Sequence, residues 1–179
     1  KKALKLGNID VVKYLVEKGA KIPDYAVANA AFSGNLELVK YLVEKGATIG
    51  NYAVGDAAGS GNIELVKYLV EKGATIDYYA VANAAGSGNI ELVKYLVEKG
   101  AKIPYDAVEN AVESGNLELV QYLVDDKKQT ITYGSVSYAI ERGHLDVVQY
   151  LVDEKGQEIG NDAVENAVES GNLELVKYL

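Results

Sequence analysis

Apolar and polar positions along the chain follow one short pattern that keeps returning. In the stretch after Asn35, apolar residues stand at Leu36, Leu38, Val39, Tyr41, Leu42 and Val43, with Glu37, Lys40 and Glu44 between them. At about 100° per residue these make a wide apolar arc and a narrow polar one, the pattern of a helix packed against more than one neighbour. Asn35 stands where a helix N-cap belongs, and Glu37 suits the first turn. Lys45 and Gly46 read as the closing cation and the C′ glycine. Lys40 and Glu44 are spaced as an i,i+4 ion pair. A shorter helix precedes this one, predicted from Pro23 to Phe32, with Pro23 (and Pro104 further on) at the first helical position. Its buried stripe is Ala26, Val27, Ala30 and Ala31, small residues that let helices approach closely. Ser33-Gly34 is the tight turn between the two helices.

The whole chain is this pair repeated. The segment from Gly34 to Ala47 recurs from Gly61, Gly88 and Gly115, occurs earlier from Gly7, and returns in more diverged form from Gly143 and Gly171. The first four steps between these glycines are 27 residues and the last two are 28. The extra residues are expected in loops, at 125–129 and 153–157, since insertions between elements are what a stacked array tolerates. The expected architecture is all-α, a right-handed α-solenoid of stacked antiparallel helix pairs forming one domain over 1–179. Its divisions are a partial repeat 1–20, repeats 21–47, 48–74, 75–101, 102–128 and 129–157, and a truncated repeat 158–179. A single repeat is too small to bury its apolar face alone, so the stack is the folding unit.

At Gly-Asn-Leu-Glu-Leu-Val-Lys-Tyr-Leu-Val-Glu-Lys-Gly-Ala the chain resembles the ankyrin repeat. The closest local match is Gly143-His144-Leu145-Asp146-Val147-Val148. The first helix, Tyr25-Ala26-Val27-Ala28-Asn29-Ala30-Ala31, departs from the family's Thr-Pro-Leu-His-x-Ala-Ala segment. The period is also short of the family's usual length of about 33. The missing residues lie between Ala47 and Tyr52, where ankyrin repeats project a β-hairpin, so the fingers are expected to be clipped to a tight turn. The resemblance implies a binding solenoid without catalysis, whose partners meet the first helices lining a concave face.

Composition narrows the chemistry. There is no Cys and a single His among 179 residues. That removes disulfides, thiolate catalysis and Cys- or His-based metal sites, and leans towards an intracellular, cytoplasmic setting. No apolar run is long enough for a membrane span, and no cofactor is expected. The formal net charge of −8 argues against a nucleic-acid ligand. The charge is uneven. Residues 1–90 hold ten Lys against nine acids, and residues 91–179 hold eight Lys and Arg against seventeen acids. With no Met even at position 1, and neither end resembling a polar capping repeat, the sequence reads as a piece of a longer array or a processed product. End-to-end self-association through uncapped repeats is one consequence.

One set of positions looks like a site, the outer face of the first helices. In the first half it carries Tyr25, Phe32, Tyr52 and Tyr79, with small residues such as Ala28, Gly55, Gly59, Ala82 and Gly86 between them. In the second half it carries Asp106, Glu109, Glu113, Tyr138, Glu141, Asp162, Glu165 and Glu169. The functional reading is a surface whose tyrosine end packs apolar side chains and whose carboxylate end receives a basic protein or peptide segment. The plainer reading is a solvated face with incidental charge. The glycines at 55, 59 and 86 fit either the close approach of a partner backbone or drift within the array. The second-helix tyrosines at 14, 41, 68, 95, 122, 150 and 178 read as a structural ladder with packed rings and wet hydroxyls. The asparagines at 29, 83, 110 and 166 read as hydrogen-bonded to neighbouring loops. Gly59-Ser60-Gly61 and Gly86-Ser87-Gly88 read as turns, because no strand precedes them and no Lys follows to make a phosphate cradle. Ser135, His144 and Asp146 supply triad residue types without a nucleophile elbow. The expected function is therefore a non-catalytic protein-binding module, with a structural spacer or self-associating strut as the alternative.

Overall fold

A computed structural model describes all residues, 1–179, and contains helices and turns but no strand. The chain divides into two compact units, Lys1–Pro104 and Tyr105–Leu179. The first unit holds α1 (Lys2–Lys5), α2 (Ile9–Glu17), α3 (Ala26–Phe32), α4 (Leu36–Glu44), α5 (Ala53–Gly59), α6 (Ile63–Glu71), α7 (Ala80–Gly86) and α8 (Ile90–Glu98). The second holds α9 (Ala107–Ser114), α10 (Leu117–Gln121), α11 (Ser135–Glu141), α12 (Leu145–Gln149), α13 (Ala163–Ser170) and α14 (Leu173–Tyr178).

Within each unit the first helices pack on the first helices of adjoining repeats, and each second helix packs on its own partner. In the first unit α3 and α5 meet through Ala26, Val27, Ala30, Ala31, Ala53, Val54, Ala57 and Ala58, all fully buried. Side chains this small bring the helix backbones close together. The second helices supply the bulk, through Leu38, Val39, Leu42, Leu65, Val66 and Leu69. In the second unit the same seats hold Val136, Ala139, Ile140, Val147, Val148 and Leu151.

The second helices begin and end as their sequence directs. Asn35 Oδ1 accepts from the Leu38 amide at 2.9 Å, and Asn62 and Asn89 cap α6 and α8 in the same way. At the far end Gly46 has φ of 83°. Its amide donates to the Val43 carbonyl at 2.9 Å, and the Ala47 amide donates to Leu42 at 3.0 Å. This left-handed closure is open to glycine and strained for other residues. No hairpin finger projects between Ala47 and Tyr52.

Three local expectations need correction. Pro23 does not open the first helix: its carbonyl accepts from the Ala26 amide at 2.9 Å in a turn, and α3 starts at Ala26 with Tyr25 as its N-cap. Lys40 pairs with Glu37, 3.5 Å away, rather than with Glu44. An acid on the N-terminal side of its lysine agrees with the helix dipole, and the reverse order opposes it. The twenty-eighth residue does not lengthen a loop. It widens the last turn of the second helix into a π-turn, at Tyr122–Asp126 after α10 and at Tyr150–Glu154 after α12. The Lys127 amide donates to the Tyr122 carbonyl and the Gln129 amide to Leu123, each one residue further back than in the shorter repeats. Lys128 takes the left-handed position there, with φ of 56°.

Candidate functional site

The exposed first-helix face of the first unit is aromatic. Tyr25, Tyr52 and Tyr79 are the N-cap residues of α3, α5 and α7, one repeat apart. None of the three caps its helix through a side-chain hydrogen bond, and the rings stand 50%, 63% and 55% exposed. Phe32 is 60% exposed and lies under the Lys5 ammonium at 5.5 Å. The rings of Tyr52 and Tyr79 stand 6.4 Å apart, and Tyr78 meets Tyr79 edge-on at 5.6 Å. Tyrosine in this setting offers apolar area at small cost in conformational entropy, with a hydroxyl free to bond a partner.

Two carboxylates lie beside this row. Asp77 receives the Gly55 amide at 2.7 Å and the Tyr79 amide at 3.0 Å, so it ties the first turn of α5 to the loop of the next repeat. A Cβ on Gly55 would stand 2.5 Å from Asp77 Oδ1. A side chain there would have to push the Asp77 carboxylate off the Gly55 amide, so the glycine suits a contact within the chain, which neither earlier reading supplied. At Gly59 a Cβ would meet only Asn83 Cβ at 3.7 Å, so packing does not demand that glycine. Asp56 is half-buried; burial pushes its carboxyl above the usual carboxylate range, Asp77 adds to the rise, and Lys5 works against it.

The corresponding face of the second unit is acidic, and part of it is already engaged. Glu113 accepts from Arg142 at 3.3 Å, a partner supplied by the next repeat. Glu109 accepts from Thr132 Oγ1 at 3.4 Å. Asp106 is half-buried, and its Oδ1 is a buried atom without a hydrogen-bond partner. Tyr138 is half-buried beside Gly134, whose Cβ position its ring occupies at 2.9 Å. Glu141, Asp162, Glu165 and Glu169 are exposed. Tyr25, Phe32, Tyr52 and Tyr79 thus belong to the first compact unit, and Tyr138 and the acids of this face to the second.

The remaining columns are structural. Asn29 and Asn110 donate to carbonyls of their own helices, Tyr25 and Asp106, while Asn83 reaches the Gly55 carbonyl in the preceding repeat at 3.0 Å. The second-helix tyrosines carry lysines over their rings, as with Lys13 and Lys45 on Tyr41, and Lys40 and Lys72 on Tyr68. Their hydroxyls are not uniformly wet. Tyr150 donates to Asp125 at 2.9 Å and Tyr178 to Asp153 at 2.8 Å, whereas the Tyr41 hydroxyl is buried and unpartnered. Burial and the Asp125 carboxylate push the Tyr150 hydroxyl well above its ordinary range. Asp125 in turn is held below the usual carboxylate range by Lys155 first and Tyr150 second.

One device was not foreseen. The capping asparagines use their second atom to staple repeats together. The Nδ2 groups of Asn35, Asn62, Asn89 and Asn172 donate to the carbonyls of Gly7, Gly34, Gly61 and Gly143, each at 2.8 Å. The use of an amide at these caps, where Ser or Asp would cap as well, is the sequence signal for it. His144 stands at this position before α12 and makes no cap; its Nε2 lies 3.1 Å from the Glu113 carbonyl. Against a carbonyl that nitrogen must carry the proton. Ser135 is buried and shares a hydrogen bond of 2.9 Å with Thr132, so the triad residue types are not brought together. No group of three or more His, Asp or Glu is placed to hold a metal ion, and no helix is long and apolar enough to cross a membrane.

The ankyrin repeat family model, in its three-copy form, matches residues 27–107, 54–134 and 109–179. Among solved structures the chain is similar to the crystal structure of the human ASB11 ankyrin repeat domain. The TM-score is 0.63 at 18% identity, over 97% of this chain and 96% of that one. A comparison with curated proteins returns no match. With the family model spanning all but the first repeat, and stacked helix pairs in both units, the chain belongs to the ankyrin repeat family.

Proposed function

We propose that this chain is a non-catalytic module that holds a protein partner on the outer faces of its first helices. Tyr25, Phe32, Tyr52 and Tyr79 anchor apolar side chains of the partner. Asp106, Glu109, Glu113, Tyr138, Glu141, Asp162, Glu165 and Glu169 make the acidic counterpart that receives Lys and Arg. The observation that carries this reading is the aromatic row. Four large rings stand at least half exposed on the first helices, three at the N-caps of α3, α5 and α7 and Phe32 at the far end of α3. The large apolar side chains behind them, such as Leu38, Leu42, Leu65 and Leu69, are buried. Exposed aromatic rings, three of them (Tyr52, Tyr78 and Tyr79) in mutual contact, are a common physical mark of a protein-binding surface. Membership of a family whose repeats generally serve protein–protein interaction supports it.

The test is affinity for a captured partner and for a Lys/Arg-rich peptide. Replacing Tyr25, Tyr52 and Tyr79 together by Ala removes partner binding while the helical circular dichroism is retained. Reversing Glu109, Glu113, Glu165 and Glu169 to Lys abolishes peptide binding. Unchanged affinity in both variants would refute the reading.

A further inference from the structure

The repeats 48–74 and 75–101 are close copies of one another. Residues 52–74 and 79–101 differ at two positions only, Gly55 against Ala82 and Asp56 against Asn83. The second helices α6 and α8 are identical, so the differences are not scattered along the repeat. They fall together on the first helix that Tyr52 opens.

Both differences bring negative charge to the rings. Asparagine stands at the place of Asp56 in four other repeats, at 29, 83, 110 and 166. Asn29, Asn83 and Asn110 use it to donate to a carbonyl. Asp56 has no such donor, and its half-buried carboxylate receives no hydrogen bond from the chain. Lys5 favours its charge but stands over the Phe32 ring. A carboxylate drawn partly out of water without a donor opposes folding, and the asparagine of the other repeats avoids that cost. Gly55 leaves room for Asp77, which accepts from the Gly55 and Tyr79 amides and so fixes the backbone under the rings. The Asp56 amide donates to the Tyr52 carbonyl at 2.9 Å, which sets Tyr52 and Asp56 one helical turn apart on the same face. The Tyr52 ring is tilted by 48° to Tyr79, and Tyr78 closes on Tyr79 edge-on.

We propose that this cluster receives an arginine side chain of a partner protein, with the guanidinium paired to Asp56 and lying against the Tyr52 and Tyr79 rings. Charge selects the occupant. An apolar side chain seated on the rings would bury the Asp56 carboxylate further with nothing to satisfy it. A guanidinium supplies a fork of N–H donors to the two free oxygens and a flat cation to the ring faces. It also sheds its water more readily than an ammonium does, which favours arginine over lysine at a half-buried carboxylate. Asp77 acts as a positioning residue and adds its charge, since both of its oxygens already hold amides. The inference rests on the proposed function only in taking the first-helix face of the first unit as a binding surface.

Peptide titration followed by the tyrosine ring resonances in NMR tests it. The capped peptides share an alanine–glycine frame and carry arginine, lysine or norleucine at the centre. The arginine peptide moves the Tyr52, Tyr78 and Tyr79 resonances and binds about tenfold more tightly than the norleucine peptide, with lysine between them. Asp56→Asn installs the residue that the other repeats use, keeps the helical circular dichroism, and brings the arginine peptide down to the affinity of the norleucine peptide. Equal affinity of the parent for the three peptides would overturn the proposal, as would an arginine affinity indifferent to Asp56→Asn, or binding that leaves the three rings unmoved. Should the arginine preference be absent while a captured partner is still lost on replacing Tyr25, Tyr52 and Tyr79 by Ala, this inference alone fails and the proposed function stands.

Discussion

Replacing Asn62 separates two contributions that one side chain makes. Its Oδ1 caps α6 through the Leu65 amide at 3.1 Å, and its Nδ2 staples the repeat to the Gly34 carbonyl at 2.8 Å. An N-cap contributes about 1 kcal/mol, and a neutral hydrogen bond contributes about 1 kcal/mol. Asn62→Ala removes both and is expected to cost about 2 kcal/mol. Asn62→Ser keeps a capping oxygen but has no donor long enough to reach Gly34, so it costs about 1 kcal/mol. Asn62→Asp keeps the cap and gains from the helix dipole, but sets a carboxylate oxygen against the Gly34 carbonyl. It should therefore be no more stable than the serine variant. The measurement is urea denaturation followed by far-UV circular dichroism, comparing midpoints at a common slope. A serine variant as stable as the parent would refute the staple, and a serine variant as unstable as the alanine variant would refute the cap.

Lys128 sits at a left-handed φ of 56°, so Lys128→Gly should raise stability by about 1 kcal/mol, read as a higher denaturation midpoint. His144→Asn places a capping oxygen before α12, worth about 1 kcal/mol, and gives up the ring's hydrogen bond to the Glu113 carbonyl, also worth about 1 kcal/mol, so the midpoint should move little in the same assay. Asp56 has a raised carboxyl, so its charge opposes folding above that pKa. Asp56→Asn should stabilise at neutral pH, and the gain should vanish as pH falls into the ordinary carboxylate range. Asp125 behaves oppositely: its depressed carboxyl favours folding above the ordinary carboxylate range, and that support is lost as pH falls through its lowered value. Lys155→Met should therefore move the acid-unfolding midpoint to higher pH.

The repeat, its two helices and their closures were legible because each rests on residues close in sequence. Asn35, Leu38, Leu42 and Gly46 state a helix with its own start and stop. What was not legible depends on the neighbouring repeat. Glu113 could be placed only on the acidic face, because Arg142, which pairs with it, lies 29 residues away. Gly55 fitted either a partner's close approach or drift, because Asp77, whose carboxylate takes its amide, comes from the following loop. The length of the longer repeats showed where a residue was added, but nothing local distinguishes an extended loop from a π-turn; the Lys127 and Gln129 amides settle that in three dimensions. The tyrosine row could be read directly, since residues one period apart on one helix face must line up once the stack is right. The acidic residues gave only their column, and how far each is free depended on what the next repeat placed beside it.

The π-turn has a consequence for how such an array can change. In the longer repeats, Asp125 and Asp153 sit where their carboxylates serve the next repeat, at Tyr150 and Tyr178. Cutting the chain between a carboxylate and the hydroxyl it accepts from, and splicing in a shorter unit, would strand one member of each pair. In the shorter units the corresponding link is a lysine over the next ring, Lys13 on Tyr41 and Lys40 on Tyr68, and each short unit supplies the same lysine to whichever short unit follows it. Exchange of segments by duplication or deletion is therefore freer among the shorter units, while the longer ones travel best as an unbroken block.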